Sequence, residues 1–300
     1  METKREGAGL VAYGSLIAVT AIWGASFVWV KETVAVYPVF PFLALRFTLG
    51  GLLVGALLGR RMAGLTRGAA LGGFWMGLAL FGGYALQTLG LRYTTAAHSG
   101  FITGLFVVFT PLFEAALTRR PPRALTAAGV TLASGGLALL AWQDGWGSFN
   151  AGDLLSVGCA AVYAVHLLVT SRMSRRFETA PLVAAQLATV AALSWLASLP
   201  GGGAPWPVPV AALWGIGVTA VFATALAYFV QTAFQRRVPP IQTALIFTLE
   251  PVFAGLFAVL LGGEALGWNG VLGGALIVAG MLAGEAGQRR NAPPAAPVGG

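Results

Sequence analysis

The chain has 300 residues, of which 57% are hydrophobic and 9% charged, and its mean hydropathy is +0.79. That balance excludes a soluble domain and identifies an integral membrane protein. A formal charge of +8 would point a soluble protein toward nucleic acid, but here the positions of the charges matter more than their sum, and no nucleic-acid partner is expected.

Apolar runs of about 18–25 residues read as spanning helices, and they fall at about 10–30, 40–58, 69–91, 95–118, 124–142, 151–170, 180–199, 208–234, 240–262 and 267–285. The expected fold class is therefore an all-α membrane protein of ten transmembrane helices. The first run is too long for a signal-peptide core and lacks a cleavage site, so it is expected to be retained. Short breaks carry turn and charge punctuation: Arg60-Arg61, Arg119-Arg120-Pro121-Pro122, Asp144-Gly145, Arg175-Arg176, Pro200-Gly201-Gly202-Gly203, Arg236-Arg237 and Gly262-Gly263. The runs are continuously apolar rather than alternating, which argues against transmembrane strands. Gly and Ala within them suit close helix packing in lipid.

Cytoplasmic loops are enriched in Lys and Arg. With the N-terminus inside, fifteen of the eighteen basic residues fall on one side, only Lys31 and Arg92 fall on the other, and Arg46 lies within the second helix. Both termini are thus expected to be cytoplasmic, with the protein multi-pass in the cell inner (plasma) membrane. The last ten residues, NAPPAAPVGG, have no periodicity and are expected to be disordered.

Shifting the second half against the first by about 140 to 144 positions aligns Tyr84-Ala85-Leu86-Gln87-Thr88 with Tyr228-Phe229-Val230-Gln231-Thr232. The same shift aligns Pro111 with Pro251, Gly129 and Gly136 with Gly273 and Gly280, Trp23 with Tyr163, Ser26 with His166, and Arg46 with Gln186. Five helices per half force the halves into opposite orientations, the inverted repeat of secondary transporters, with a site near the midplane. The expected units are residues 10–142 and 151–286, followed by a tail over 287–300.

Trp23-Gly24-Ala25-Ser26-Phe27, Arg46-Phe47, the stretch from Gln87 to Ala96 and Thr110-Pro111-Leu112 resemble the first half of the EamA family of the drug/metabolite transporter superfamily. Gly152-Asp153, Leu249-Glu250-Pro251-Val252-Phe253, Gly262-Gly263-Glu264 and Gly273-Gly274-Ala275-Leu276-Ile277 resemble its second half. The resemblance covers about residues 12 to 286 and implies ten helices in two inverted five-helix repeats. It also implies a secondary transporter, often an exporter, of small metabolites, amino acids or drugs. One departure is that Arg119-Arg120-Pro121-Pro122 stands where an acidic residue can follow the fourth helix, as Glu264 follows the ninth.

Enzymatic and cofactor chemistry is not expected. The only lysines, Lys4 and Lys31, sit in no phosphate-binding loop, and there is neither a zinc-protease HExxH nor a hydrolase Gly-x-Ser-x-Gly. The lone cysteine, Cys159, excludes an intramolecular disulfide and a thiolate metal cluster. The expected partners are a small-molecule substrate and the bilayer; the oligomeric state is open, with a monomer compatible.

Polar residues within the spans are the site candidates. Substrate-pathway candidates are Trp23, Ser26, Tyr84, Gln87, His98, Thr103, Tyr163, His166, Tyr228, Gln231 and Thr243, each with core packing or, for His98, interfacial exposure as its ordinary alternative. Glu250 is either a proton- or cation-coupling carboxylate or a structural hydrogen-bonding group beside the carbonyl freed by Pro251. Arg46 either pairs with protein groups or meets an anionic part of the substrate. Pro111 and Pro251 are expected helix kinks, and Glu114 is expected to reach Arg119-Arg120 at the surface. A passive channel or lipid-handling protein is the alternative reading of the same bundle.

Overall fold

The structure is a computed structural model that describes residues 2–94, 96–141, 150–262 and 267–289. All the regular structure among them is helical: α1 Glu2–Val36, α2 Val39–Leu58, α3 Arg67–Gly90, α4 Ala96–Thr103, α5 Phe106–Thr118, α6 Ala124–Ala141, α7 Ala151–Met173, α8 Thr179–Ser198, α9 Val210–Val218, a π-helical segment Thr219–Leu226, α10 Ala227–Gln235, α11 Pro240–Phe247, α12 Leu249–Gly262 and α13 Trp268–Arg289, with short 3-10 helices at Gly59–Gly64 and Leu199–Gly201. Asp144, Gly145, Gly263, Glu264 and residues 290–300 of the expected disordered tail lie outside the described residues, whereas 287–289, also assigned to that tail, are the helical end of α13.

Among the described residues seven stretches are long and apolar enough to cross a membrane, and Phe106–Thr118, Ala124–Leu139 and Trp268–Ala283 are shorter apolar helices. Large apolar side chains such as Leu10, Leu57 and Trp214 stand exposed on the outside of the bundle, as lipid contact requires.

Local chemistry sets the ends. Asn150 caps α7 by accepting from the Gly152 and Asp153 amides, while the Asp153 carboxylate accepts from the Asn150 amide at 3.0 Å, a reciprocal capping box. Thr94 then donates to Asp153 at 2.6 Å and ties the chain after α3 to the start of α7. Arg119 closes α5 at φ 55°, and Pro121 and Pro122 prevent its continuation.

Three of the runs expected to be continuous are divided. The run 240–262 breaks at Thr248 between α11 and α12, because Pro251 has no N–H for the Phe247 carbonyl and the helix restarts around it. The run 95–118 breaks at Gly104-Leu105, not at Pro111. Pro111 sits inside α5, where Thr110 donates to the Phe106 carbonyl at 2.7 Å. The run 208–234 changes from α to π geometry at Thr219 and back at Ala227.

The bundle packs α3 on α7 and α8, α2 on α8, α1 on α12, and α6 on α13. The last pair is built on the glycines matched by the repeat. A Cβ on Gly136 would lie 2.5 Å from the Gly273 carbonyl oxygen, and one on Gly280 would lie 2.6 Å from that of Gly129. The same four residues thus form two reciprocal contacts, and backbone meets backbone across the helix pair.

The core falls into two clusters. One gathers Phe42, Leu43, Phe47, Leu80 and Leu187; the other gathers Leu16, Val107, Leu137, Leu245 and Ile277. Trp23 and Tyr163, aligned by the repeat, each pack against both clusters, and the site lies where they meet.

Candidate functional site

A cavity with about 70 Å³ for the centres of water-sized molecules, room for several waters, opens between the two clusters. Its wall contains Trp23 and Ser26 from α1, Arg46 from α2, Tyr84 and Gln87 from α3, Tyr163 and His166 from α7, Tyr228 and Gln231 from α10, and Glu250 from α12. Residues chosen for polarity inside apolar spans therefore converge on one place from six helices drawn from both halves.

The wall is braced by Arg46, which is 1% exposed. Its Nε donates to Thr224 Oγ1 at 2.8 Å, and its Nη2 donates to the Tyr84 hydroxyl at 3.0 Å and to the Ala223 carbonyl at 3.3 Å. The guanidinium also lies over the Tyr84 ring, 4.8 Å from its centroid, and 5.4 Å from that of Phe47. A cation inside apolar surroundings is tolerable only with such partners. Arg46 thus satisfies its bonds with a hydroxyl pair and a carbonyl while still facing the cavity.

The π-helical segment supplies the acceptors. Ala223 accepts from Arg46 and also from Trp23 Nε1 at 3.0 Å, so one carbonyl anchors α1 and α2 together. π-Turns disturb the regular i to i−4 ladder and recur at functional sites for that reason. Gly50, one turn beyond Arg46, makes the approach possible, since a Cβ there would lie 2.8 Å from Thr224 Cγ2.

Tyr228 donates to the Tyr84 hydroxyl at 2.9 Å, so the two tyrosines matched by the repeat bond to each other across the cavity. Trp23 packs on Tyr228 and Phe247 with centroids 5.5 and 5.1 Å away, Tyr84 meets Tyr163 edge to face at 6.0 Å, and His166 meets Tyr228 edge to face at 6.2 Å. Tyr163 donates to Gln87 Oε1 at 3.3 Å. Toward the end of α10, Gln231 donates to Gln235, and Gln235 donates to the Leu167 carbonyl at 2.7 Å, closing α10 onto α7.

Glu250 faces the cavity and is partly exposed to it. Gly24 brings α1 against it, because a Cβ at Gly24 would sit 2.8 Å from the Glu250 carbonyl oxygen and 2.9 Å from the Ala254 amide. The glycine of Trp23-Gly24-Ala25-Ser26 therefore serves the contact with the Glu250-Pro251 element.

Not every candidate lies on the wall. Thr103 is buried behind it, 3.5 Å from Gln87 Nε2 and 3.9 Å from Cys159 Sγ. Thr243 turns back onto its own helix and donates to the Pro239 carbonyl at 3.1 Å. His98 belongs to α4, but its side chain lies outside the described residues. Glu114 is half-buried, and the charges that reach it are those of Arg172 and Arg175, not Arg119-Arg120; α5 packs against α7, which brings these arginines near. Sequence reasoning passed over the apolar wall residues Phe27, Phe106 and Phe247 and the acceptors Thr224 and Ala223. Thr88, also on the wall, was visible as the last residue of the repeated Tyr-x-x-Gln-Thr.

The chain matches the EamA-like transporter family twice, over residues 10–142 and 150–283. An uncharacterized transporter of Archaeoglobus fulgidus is 31% identical over 259 residues, covering 84% of this chain and 78% of that protein. A second uncharacterized transporter of the same organism is 28% identical over 284 residues, covering 89% and 94%. One solved crystal structure superposes with a TM-score of 0.78 over 96% of this chain and 99% of that one at 23% identity, a likeness of fold. This multi-pass membrane protein belongs to the EamA-like transporter family.

Proposed function

We propose that the protein is a secondary transporter that exports small amphipathic metabolites, amino acids among them, by alternating access. The observation that carries this reading is the cavity lined from both halves, with the repeat-matched Tyr84 and Tyr228 bonded across it. In this reading α4 with α5 forms one span, α6 and α13 two more, and with the seven longer spans the chain crosses the membrane ten times in two inverted repeats. Both termini are cytoplasmic and the membrane is the inner (plasma) membrane, supported by the distribution of Lys and Arg. A wall of Trp23, Tyr84, Tyr163 and Tyr228 offers apolar faces with polar tips, and Arg46 and Glu250 offer one basic and one acidic group, a set suited to a solute with apolar and polar parts.

Counterflow in proteoliposomes tests it. Vesicles preloaded with an unlabelled amphipathic amino acid are expected to take up labelled solute faster than empty ones. Equal rates across a broad metabolite panel would overturn the carrier reading in favour of a passive pore.

Glu250 is the proposed coupling group, since its carboxylate meets the cavity while Arg46 is held by protein partners. Glu250→Gln is expected to leave folding yield intact and to flatten the dependence of transport on pH. A wild-type pH profile with reduced folding yield would assign Glu250 a structural role instead.

A further inference from the structure

A second site lies at the end of the bundle where α7 and α10 finish. Arg175 and Arg176, on the turn between α7 and α8, and Arg236 and Arg237, on the turn between α10 and α11, converge on one open groove of about 440 Å³. All four side chains are exposed, and the other ionisable residue of the groove is Glu178, so positive charge is in excess there.

The groove is built rather than incidental. The Arg176 and Phe177 amides both donate to the Met173 carbonyl, fixing the first arginine pair in a hydrogen-bonded turn. The Arg237 amide donates to Phe234 and the Val238 amide to Gln235, fixing the second, and Val238 is fully buried beneath it. Phe177 lies against the start of α3, where Gly68 leaves room: a Cβ on Gly68 would be 2.8 Å from the ring. Both pairs also stand at helix C-termini, whose partial negative charge favours cations locally. That accounts for some basic character near each helix end, but not for two pairs from separate turns facing one groove.

The height of the groove selects among anions. It sits where helices long and apolar enough to cross a membrane end, which in the proposed topology is the headgroup region, and apolar rings lie beside its guanidinium groups: Phe177 in the wall, and Phe234 with its centroid 5.8 Å from the Arg237 guanidinium carbon. A guanidinium fork binds phosphate oxygens in pairs, and basic pockets between spanning helices on the cytoplasmic side take anionic headgroups. We infer that the groove formed by Arg175, Arg176, Arg236 and Arg237 binds the phosphate headgroup of an anionic phospholipid.

The test uses the purified full chain in neutral detergent, titrated with dioleoylphosphatidylglycerol, dioleoylphosphatidylcholine or inorganic phosphate. Bound lipid is read by native mass spectrometry and stability by the thermal unfolding midpoint. Phosphatidylglycerol is expected to bind and raise the midpoint. The R175Q/R176Q/R236Q/R237Q variant should weaken its apparent affinity at least about tenfold, and R236Q/R237Q alone should give an intermediate loss, given the attraction each arginine contributes near an anionic surface. A variant with the same charge removed from other loops, R60Q/R61Q/R119Q/R120Q, should stay within about twofold of wild type.

The double variant decides the matter if the quadruple one does not fold. Equal loss in the double and control variants would reduce the site to the general field of a basic surface. Equal binding of phosphatidylcholine, or the same shift with inorganic phosphate alone, would overturn the lipid assignment. None of these readouts depends on transport.

Discussion

Arg46→Ala is expected to abolish counterflow and to lower the stability of the detergent-solubilised protein by several kcal/mol. The guanidinium makes three hydrogen bonds, to Thr224, Tyr84 and the Ala223 carbonyl, and a charged hydrogen bond contributes about 1.5–3 kcal/mol. The contributions are not additive, because Tyr84 keeps its bond from Tyr228 and Ala223 keeps its bond from Trp23. What is lost entirely is the hydrogen bonding that Arg46 makes from α2 to the π-helical segment, while the packing of Gly50 on Thr224 remains. Arg46→Lys separates charge from geometry: the ammonium keeps the cation but lacks the planar fork that reaches a hydroxyl pair and a carbonyl together. It should recover part of the stability with little of the transport. Unfolding midpoints and counterflow rates for the two variants check both statements, and a wild-type midpoint for Arg46→Ala would refute the bracing role.

The second large effect is expected at the helix pair α6 and α13. Gly136→Leu places its Cβ against the Gly273 carbonyl oxygen and the Ile277 amide, at 2.5 and 2.9 Å before any relaxation. Both are backbone atoms, so no rotamer change relieves the clash and the helices must separate. Overpacking that side chains can absorb costs about 1–3 kcal/mol; here the loss should exceed that range and reduce the yield of folded protein. Gly280→Leu should behave alike, because its Cβ meets the Gly129 carbonyl oxygen at 2.6 Å and the Ala133 amide at 2.7 Å. The neighbouring Gly135→Leu is the control, since Gly135 is exposed and nothing stands within 4 Å of its Cβ. Its midpoint should stay near wild type, and equal damage at Gly135 and Gly136 would refute close backbone packing as the cause.

Much of this organisation was legible because lipid enforces strong rules. An apolar run must satisfy its backbone internally, so helices could be read from composition. A polar side chain inside such a run needs a partner or water, so Trp23, Tyr84, Gln87, Tyr163, His166, Tyr228, Gln231, Arg46 and Glu250 could be singled out one by one, and all line the same cavity. The repeat added pairing: the equivalents Tyr84 and Tyr228 proved to be in contact, and the two matched glycine pairs proved to pack crosswise, Gly136 on Gly273 and Gly280 on Gly129. What could not be read depends on direction within a helix. Thr103 and Thr243 have the right chemistry and depth, yet one faces Cys159 and the other its own backbone. Ala223 acts through a carbonyl, which every residue has, so its identity carries no signal. Likewise Pro111 and Pro251 are alike in sequence, but the breaks fall at Gly104-Leu105 and Thr248.

The π-helical segment Thr219–Leu226 also fixes an angle. Side chains advance by about 100° per residue around an α-helix, and a wider turn accommodates extra chain without lengthening the helix in proportion. Everything after it is thereby rotated about the helix axis relative to an unbroken α-helix, while the matching α3 runs uninterrupted from Arg67 to Gly90. The azimuth at which Tyr228 and Gln231 look into the cavity is thus set in part by a local change of winding, whereas Tyr84 and Gln87 reach theirs on regular α geometry. Two stretches that read alike as Tyr-x-x-Gln-Thr are aimed by different means. In these two stretches the halves of this transporter share their residues and differ in their helical phase.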